Sequence, residues 1–204
     1  MNNRNYQNEM ENIISVNKER GLRPSLLLHA CCAPCASTCL MRLMDAFAVT
    51  VFYYNPNITN PGEYRKRVLE VKRLIDTLND EYHGDIDFAE GTYDPSVFET
   101  MAAGLADEPE RGKRCHKCYR LREEETAKVA ARDGFDYFAT TLTLSPLKDA
   151  TVLNTIGEEL ARQYDVTYLV SDFKKKDGYK LSIELSEKYG LYRQNFCGCD
   201  YSKR

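Results

Sequence analysis

Five short apolar runs, at residues 26–30, 49–54, 86–89, 137–142 and 166–170, alternate with longer stretches of helical period, and this alternation constrains the fold most. Each run is short and rich in β-branched or aromatic residues, as suits a parallel strand buried on both faces. From 61 to 78, Val68, Val71, Leu74, Ile75 and Leu78 fall at helical spacing, with Arg65, Lys66, Arg67, Lys72 and Arg73 mostly on the other side. Similar patterns cover 117–132, 149–163 and 178–189. The expected architecture is an α/β fold, a mostly parallel, doubly wound sheet of about five strands with helices on both faces. There is no internal repeat, and 204 residues with 43% hydrophobic content suit one substantial core. The expectation is one α/β domain over 1–204, with an N-terminal extension at 1–22. A C-terminal tail at 191–204 is too short for a domain and is expected to fold back over the sheet and its site.

The N-terminal stretch MNNRNYQNEMENII lacks the apolar core of a signal peptide, and no later apolar run approaches the roughly 18–20 residues that span a bilayer. A cytoplasmic location with no membrane partner is therefore expected. In that reducing compartment, eight cysteines point to metal binding or redox chemistry instead of a disulfide framework. A formal net charge of −3 argues against a strongly basic nucleic-acid binder, so any RNA contact has to come from local patches.

The cysteines form three groups: Cys31, Cys32, Cys35 and Cys39; Cys115 and Cys118; Cys197 and Cys199. The first lies in HACCAPC, directly after the first strand and before a helix starting near Ala36, where this architecture places ligands. Backbone N–H groups at that helix start lower thiolate pKa values and favour an anionic centre, and Cys35 can sit at the entrance. The second, RCHKCYRLR, is a CxxC at a helix start, ambiguous by itself between structural zinc and redox chemistry. A zinc ribbon takes two such knuckles, whereas adjacent Cys31 and Cys32 suit different irons of a cluster. The ligand expectation is Cys31, Cys32, Cys115 and Cys118 around a [4Fe–4S] cluster. The third group, CGC, permits a strained disulfide or two sulfurs on a second metal. Cys35 could join Cys197 and Cys199, with Asp200 as an oxygen donor, at a single mononuclear iron beside the cluster. Cys39 reads as a small buried hydrophobe, and His29 as a hydrogen-bonded core histidine.

The motifs HACCAPC, YYNPNI, RCHKCYRLR, TTLTLSP, DFKKKDGY and YRQNFCGC, in this order, resemble the QueH family of epoxyqueuosine reductases. The resemblance covers nearly the whole chain from about Leu26, and its specificity lies in the order and spacing of the set. It implies a Rossmann-like (HUP-like) fold related to nucleotide-binding α/β proteins, with the early cysteine motif standing where their phosphate loop would be. It implies an iron–sulfur oxidoreductase that reduces epoxyqueuosine at the wobble position of tRNA, consuming two electrons and two protons and releasing water. By position, Cys31, Cys32, Cys115 and Cys118 look like the cluster ligands. Cys197 and Cys199 look like a redox-active pair or ligands of an extra iron. The partners expected are tRNA containing epoxyqueuosine and an electron donor such as ferredoxin or flavodoxin.

Two other functions compete: a non-catalytic iron–sulfur redox sensor, and an ATP-using tRNA thiolase, against which the missing phosphate loop counts. The basic runs Arg65 to Arg67, Arg111 to Arg114 and Lys174 to Lys176 are candidates for phosphate contact. Tyr53, Tyr54, Tyr119 and Tyr179 are candidate stacking platforms for an unstacked base. The hydroxyl-rich segment from Thr140 to Asp149 suits either an anion contact or ordinary capping of the following helix.

Overall fold

The structure, a computed structural model, describes residues 4–202; the first three residues of the expected extension and the last two of the expected tail lie outside them. Five strands, β1 (Ser25–His29), β2 (Ala48–Tyr53), β3 (Asp87–Glu90), β4 (Tyr137–Thr140) and β5 (Thr167–Tyr168), form one sheet in the order β3-β2-β1-β4-β5. Every neighbouring pair is parallel. Among the described residues there are seven α-helices: α1 (Tyr6–Glu19), α2 (Ala33–Leu43), α3 (Pro61–Tyr82), α4 (Pro95–Ala102), α5 (Lys113–Asp133), α6 (Ala150–Tyr164) and α7 (Gly178–Lys188). No helix among the described residues is long and apolar enough to cross a membrane.

Alternation along the strands divides the core between the two faces of the sheet. Leu26 and Leu28 of β1, with Val49, Val51 and Tyr53 of β2, pack against α2 and α3. Leu27, Phe52 and Phe138 face α5 and α6. Leu26, Leu27 and Leu28 are at most 1% exposed. Burying each leucine stabilises the fold by about 1.5–3 kcal/mol, which anchors β1 at the centre of the sheet.

Helix starts follow local chemistry. Asn60 caps α3 by accepting from Glu63 N, with Pro61 in the first turn, and Asp149 caps α6 by accepting from Thr151 N and Val152 N. The α2 helix begins at Ala33, earlier than expected, because Cys32 is extended and Pro34 suits a first turn. The α5 helix likewise begins at Lys113, four residues before its apolar pattern. Two helices were not anticipated. In α1, Met10, Ile13 and Ile14 pack on the core from an otherwise polar segment. In α4, Phe98 and Ala102 are buried behind an Asp94 cap. The β5 strand shrinks to two residues, and the end of the expected β4 run becomes a 3-10 turn (Thr141–Leu144).

From β1 the chain winds to β2 and β3 on one side, then reaches β4 and β5 on the other. The crevice beyond the C-terminal ends of β1 and β4 is therefore the switch point of the sheet, where doubly wound folds bind ligands.

Candidate metal centre

Three distant segments deliver cysteines to that crevice. The first leaves β1: Asn55 Nδ2 donates to Ala30 O at 2.8 Å and the Tyr53 hydroxyl donates to Cys31 O at 3.4 Å, fixing the turn. Cys32 is the N-cap of α2 and Cys35 lies in its first turn. The second is α5, whose first two turns carry Cys115 and Cys118; Cys115 Sγ accepts from Arg111 N at 3.3 Å. Neither N-cap residue, Cys32 or Gly112, makes a side-chain capping bond; at α5 the first N–H, of Lys113, donates instead to the Glu108 carboxylate at 3.0 Å, so the open positive helix end beside the cysteines is that of α2. The third is the tail. Arg67, 1% exposed, donates to Cys197 O at 3.1 Å and Phe196 O at 3.3 Å while pairing with Glu63 at 2.7 Å. Gly198 has φ +117 and a Cβ there would stand 2.6 Å from Ile58, so the bend between the two tail thiols requires glycine.

The segments enclose a cavity of about 290 Å³ lined by Cys31, Cys32, Cys35, Cys115, Cys118, Cys197 and Cys199. The sulfurs of Cys31, Cys32 and Cys35 all lie within 4.8 Å of one another. Cys115 and Cys118 share the cavity but stand outside that tight triad, whose third member is Cys35. Cys197 and Cys199 are unbonded with sulfurs 3.4 Å apart, and the Ser202 hydroxyl lies 3.0 Å from Cys197 Sγ. Cys39 is fully buried in the core, as expected.

The thiols share charge unequally. Hydrogen bonds with Cys32 and Cys35 hold the Cys31 thiol well below the ordinary range, and those same bonds push Cys35 well up and Cys32 up to about 12. In the tail, Cys199 holds Cys197 down and is itself pushed up. Burial pushes Cys118 up to about 11. Two cations answer these sulfurs. Arg122, 3% exposed, donates from Nε to Cys118 O at 3.2 Å and has no ion pair among the described residues. Burial alone would lower its pKa, yet the sulfurs of Cys118, Cys31 and Cys197 hold it raised. Lys148 behaves likewise, lowered by burial but raised overall by Cys31, Cys35 and Cys197. Neither cation stood out in the sequence, although both lie inside motifs that did, RCHKCYRLR and the segment from Thr140 to Asp149.

Other candidates sort cleanly. His29 is in the core, donating from Nε2 to Tyr54 O at 3.1 Å and accepting at Nδ1 from Thr140 at 3.0 Å. Burial, aided by Arg122, lowers its pKa to about 4 and keeps it neutral. Tyr53 and Tyr54 are buried in the core, while Tyr119 and Tyr179 line the cavity, Tyr179 at 40% exposure on the rim. The Asp200 carboxylate accepts from the Thr59 hydroxyl at 2.9 Å and does not line the cavity. Arg67 holds the tail and does not face solvent, which removes it from the candidate phosphate contacts. At the start of α6, Asp149 fills the anion position itself, so capping explains that segment.

Seven soft sulfur donors beside two buried or half-buried cations and the uncapped start of α2 fit an anionic metal–sulfur group, and the Cys31, Cys32, Cys35 triad could hold a metal. The family model described as "Epoxyqueuosine reductase QueH" matches residues 26–204. A protein of that name from Streptococcus pyogenes serotype M1 is 38% identical over 200 residues, covering 98% of this chain and 78% of its own. One from Staphylococcus epidermidis is 39% identical over 200 residues, 97% of this chain and 84% of its own. One from Thermotoga maritima is 33% identical over 179 residues, 87% of this chain and 90% of its own. The geometry of the thiol cavity and these similarities lead to one conclusion: the chain belongs to the epoxyqueuosine reductase QueH family.

Proposed function

We propose that this cavity reduces epoxyqueuosine at the wobble position of tRNA to queuosine. In this reading Cys31, Cys32, Cys115 and Cys118 hold a [4Fe–4S] cluster, with Cys35, Cys197 and Cys199 beside it as redox-active thiols or ligands of a second, mononuclear iron. Family membership makes the chain an epoxyqueuosine reductase, an oxidoreductase of tRNA processing and queuosine biosynthesis. The proposal adds which residues do the work, within a single cytoplasmic α/β iron–sulfur domain. The observation that carries it is the convergence of seven thiols from three segments on one cavity at the switch point of the sheet.

Opening the epoxide to an alkene takes two electrons and two protons and releases the oxygen as water, so an external donor such as ferredoxin or flavodoxin must lose two electrons. When bound, the cluster supplies those electrons one at a time. The chain's own groups do the rest. Burial keeps the Tyr119 phenol protonated, so its hydroxyl can hold a proton inside the cavity. Lys148 keeps its ammonium against the sulfurs and offsets negative charge there. The exposed ring of Tyr179 offers a stacking face to an incoming base. Phe196 and Phe98 on the walls limit water in the cavity.

The test is anaerobic reconstitution with iron and sulfide, then incubation with a reductant and epoxyqueuosine-containing tRNA, with nucleosides read by mass spectrometry. Queuosine should appear, and Cys115→Ala should abolish it while leaving a folded protein. A loaded centre that converts no epoxyqueuosine would instead support the redox-sensor function.

A further inference from the structure

A second concavity, of about 670 Å³, adjoins the thiol cavity. Its walls are the start of α1, the segment 146–151 entering α6, and the loop 172–176. Pro146 and Lys148 line both spaces, so the groove runs into the cavity. The groove carries six cationic side chains, Arg4, Arg111, Lys148, Lys174, Lys175 and Lys176, against two carboxylates, Asp149 and Asp172. The chain as a whole has a formal net charge of −3, whereas the side chains lining the groove carry more cations than carboxylates. Arg4 is tied to Glu9 and Glu158, Lys174 to Asp172, and Lys176 to Glu11, which sets these side chains in place along the walls. Arg111, Lys148 and Lys175 have no ion pair among the described residues.

An isolated run of lysines is ordinarily a solvated face. Here four segments far apart in sequence bring their cations to one trough, and the trough ends at the cavity that receives the reacting base. A base splayed out of an RNA loop drags its flanking phosphates to the rim of whatever pocket it enters, and those phosphates need cations beside that rim. We propose that this groove is the bed along which the phosphodiester backbone of the substrate RNA lies while its modified base occupies the thiol cavity. The inference rests on the reading that the substrate nucleoside is part of an RNA. It also gives α1 a task, since this helix lies before the 26–204 segment that matches the family model yet builds one wall of the groove.

The test uses the full, reconstituted protein with Lys175→Glu and Arg111→Glu, singly and together, and Lys175→Gln as a milder variant. Arg162→Glu, an exposed position on α6 outside the groove, is the control. The probe is a fluorescent anticodon stem-loop RNA, titrated by anisotropy over a salt series, alongside turnover of epoxyqueuosine-containing tRNA. The double variant should bind roughly tenfold more weakly, with a salt slope shallower by about 0.7 for each single-strand phosphate that the protein no longer neutralises. Lys175→Gln should move in the same direction by less, Arg162→Glu should bind as wild type, and the fall in turnover should be carried by KM. Groove variants that bind with wild-type affinity and salt slope overturn the proposal, as does an Arg162→Glu variant weakened equally. Groove-dependent RNA binding without any conversion of epoxyqueuosine by wild type would instead sink the assigned reaction and leave the groove standing.

Discussion

The guanidinium of Arg67 satisfies the Glu63 carboxylate and two tail carbonyls at once, and its plane lies over the Phe196 ring with 5.1 Å to the centroid. Removing it leaves the half-buried Glu63 carboxylate with the Tyr192 hydroxyl alone, Cys197 O with Asn57 alone, and Phe196 O without its donor. Arg67→Gln is predicted to cost about 3 kcal/mol in denaturant unfolding and to loosen the tail. Alkylation of Cys197 in the metal-free protein should accelerate, measured by mass spectrometry against Cys39 as a buried reference. Unchanged Cys197 reactivity would mean that Arg67 does not position the tail. Only its i, i+4 spacing from Glu63 hinted at this role. Its other partners lie some 130 residues away and have no signature along the chain. The cysteines were legible for the opposite reason: thiols in groups at ligand spacing, in a chain read as cytoplasmic, leave few other uses. Lys148 and Arg122 were not, because a lone cation reads as surface until the fold shows what it faces.

Helix α5 does two jobs, carrying Cys115 and Cys118 at its start and covering one face of the sheet with its middle. Within that middle Glu123 is 1% exposed, and neither of its oxygens has a hydrogen-bond partner among the described residues. Burial pushes its carboxyl well above the ordinary value, opposed by Arg122 and Arg120 of the same helix. The Tyr168 hydroxyl of β5, also without a partner among the described residues, senses the same carboxyl. A folded-state pKa raised above the unfolded value gives stability that is fully present below about pH 4.3 and is lost as pH rises through the folded value. Glu123→Gln is therefore predicted to raise the denaturation midpoint of the metal-free protein at neutral pH, with the gain shrinking to nothing under acid conditions. A variant less stable than wild type at neutral pH contradicts this. At this scale the long periodic helices and all five strands were readable from apolar spacing, with β5 shorter than its 166–170 run. Helix α1 was not. Met10, Ile13 and Ile14 give α1 an apolar stripe too narrow to stand out in a polar segment. Only two residues of the 166–170 run pair as β5, and Tyr168 packs there on Phe138 and α6.

Across the whole molecule, the parallel sheet explains how residues as far apart as Cys31 and Cys199 share one cavity. Strand β1 presents the first group at the switch point, α5 places the second above it from one face, and the tail returns over the top held by α3. That return was expected from the cysteines at 197 and 199, but its fastening, through Arg67, Asn57 and Thr59, became visible only in the fold. The basic groove beside the cavity belongs to the same scale, since no one of its segments would announce it.

That Cys31, Cys32, Cys115 and Cys118 hold one [4Fe–4S] cluster is tested by counting iron and acid-labile sulfide per chain after anaerobic reconstitution. About four sulfides with at least as many irons are expected in wild type. The sulfide should be lost in Cys115→Ala, and retained in Cys197→Ser combined with Cys199→Ser. A purified protein containing zinc and no acid-labile sulfide would contradict it.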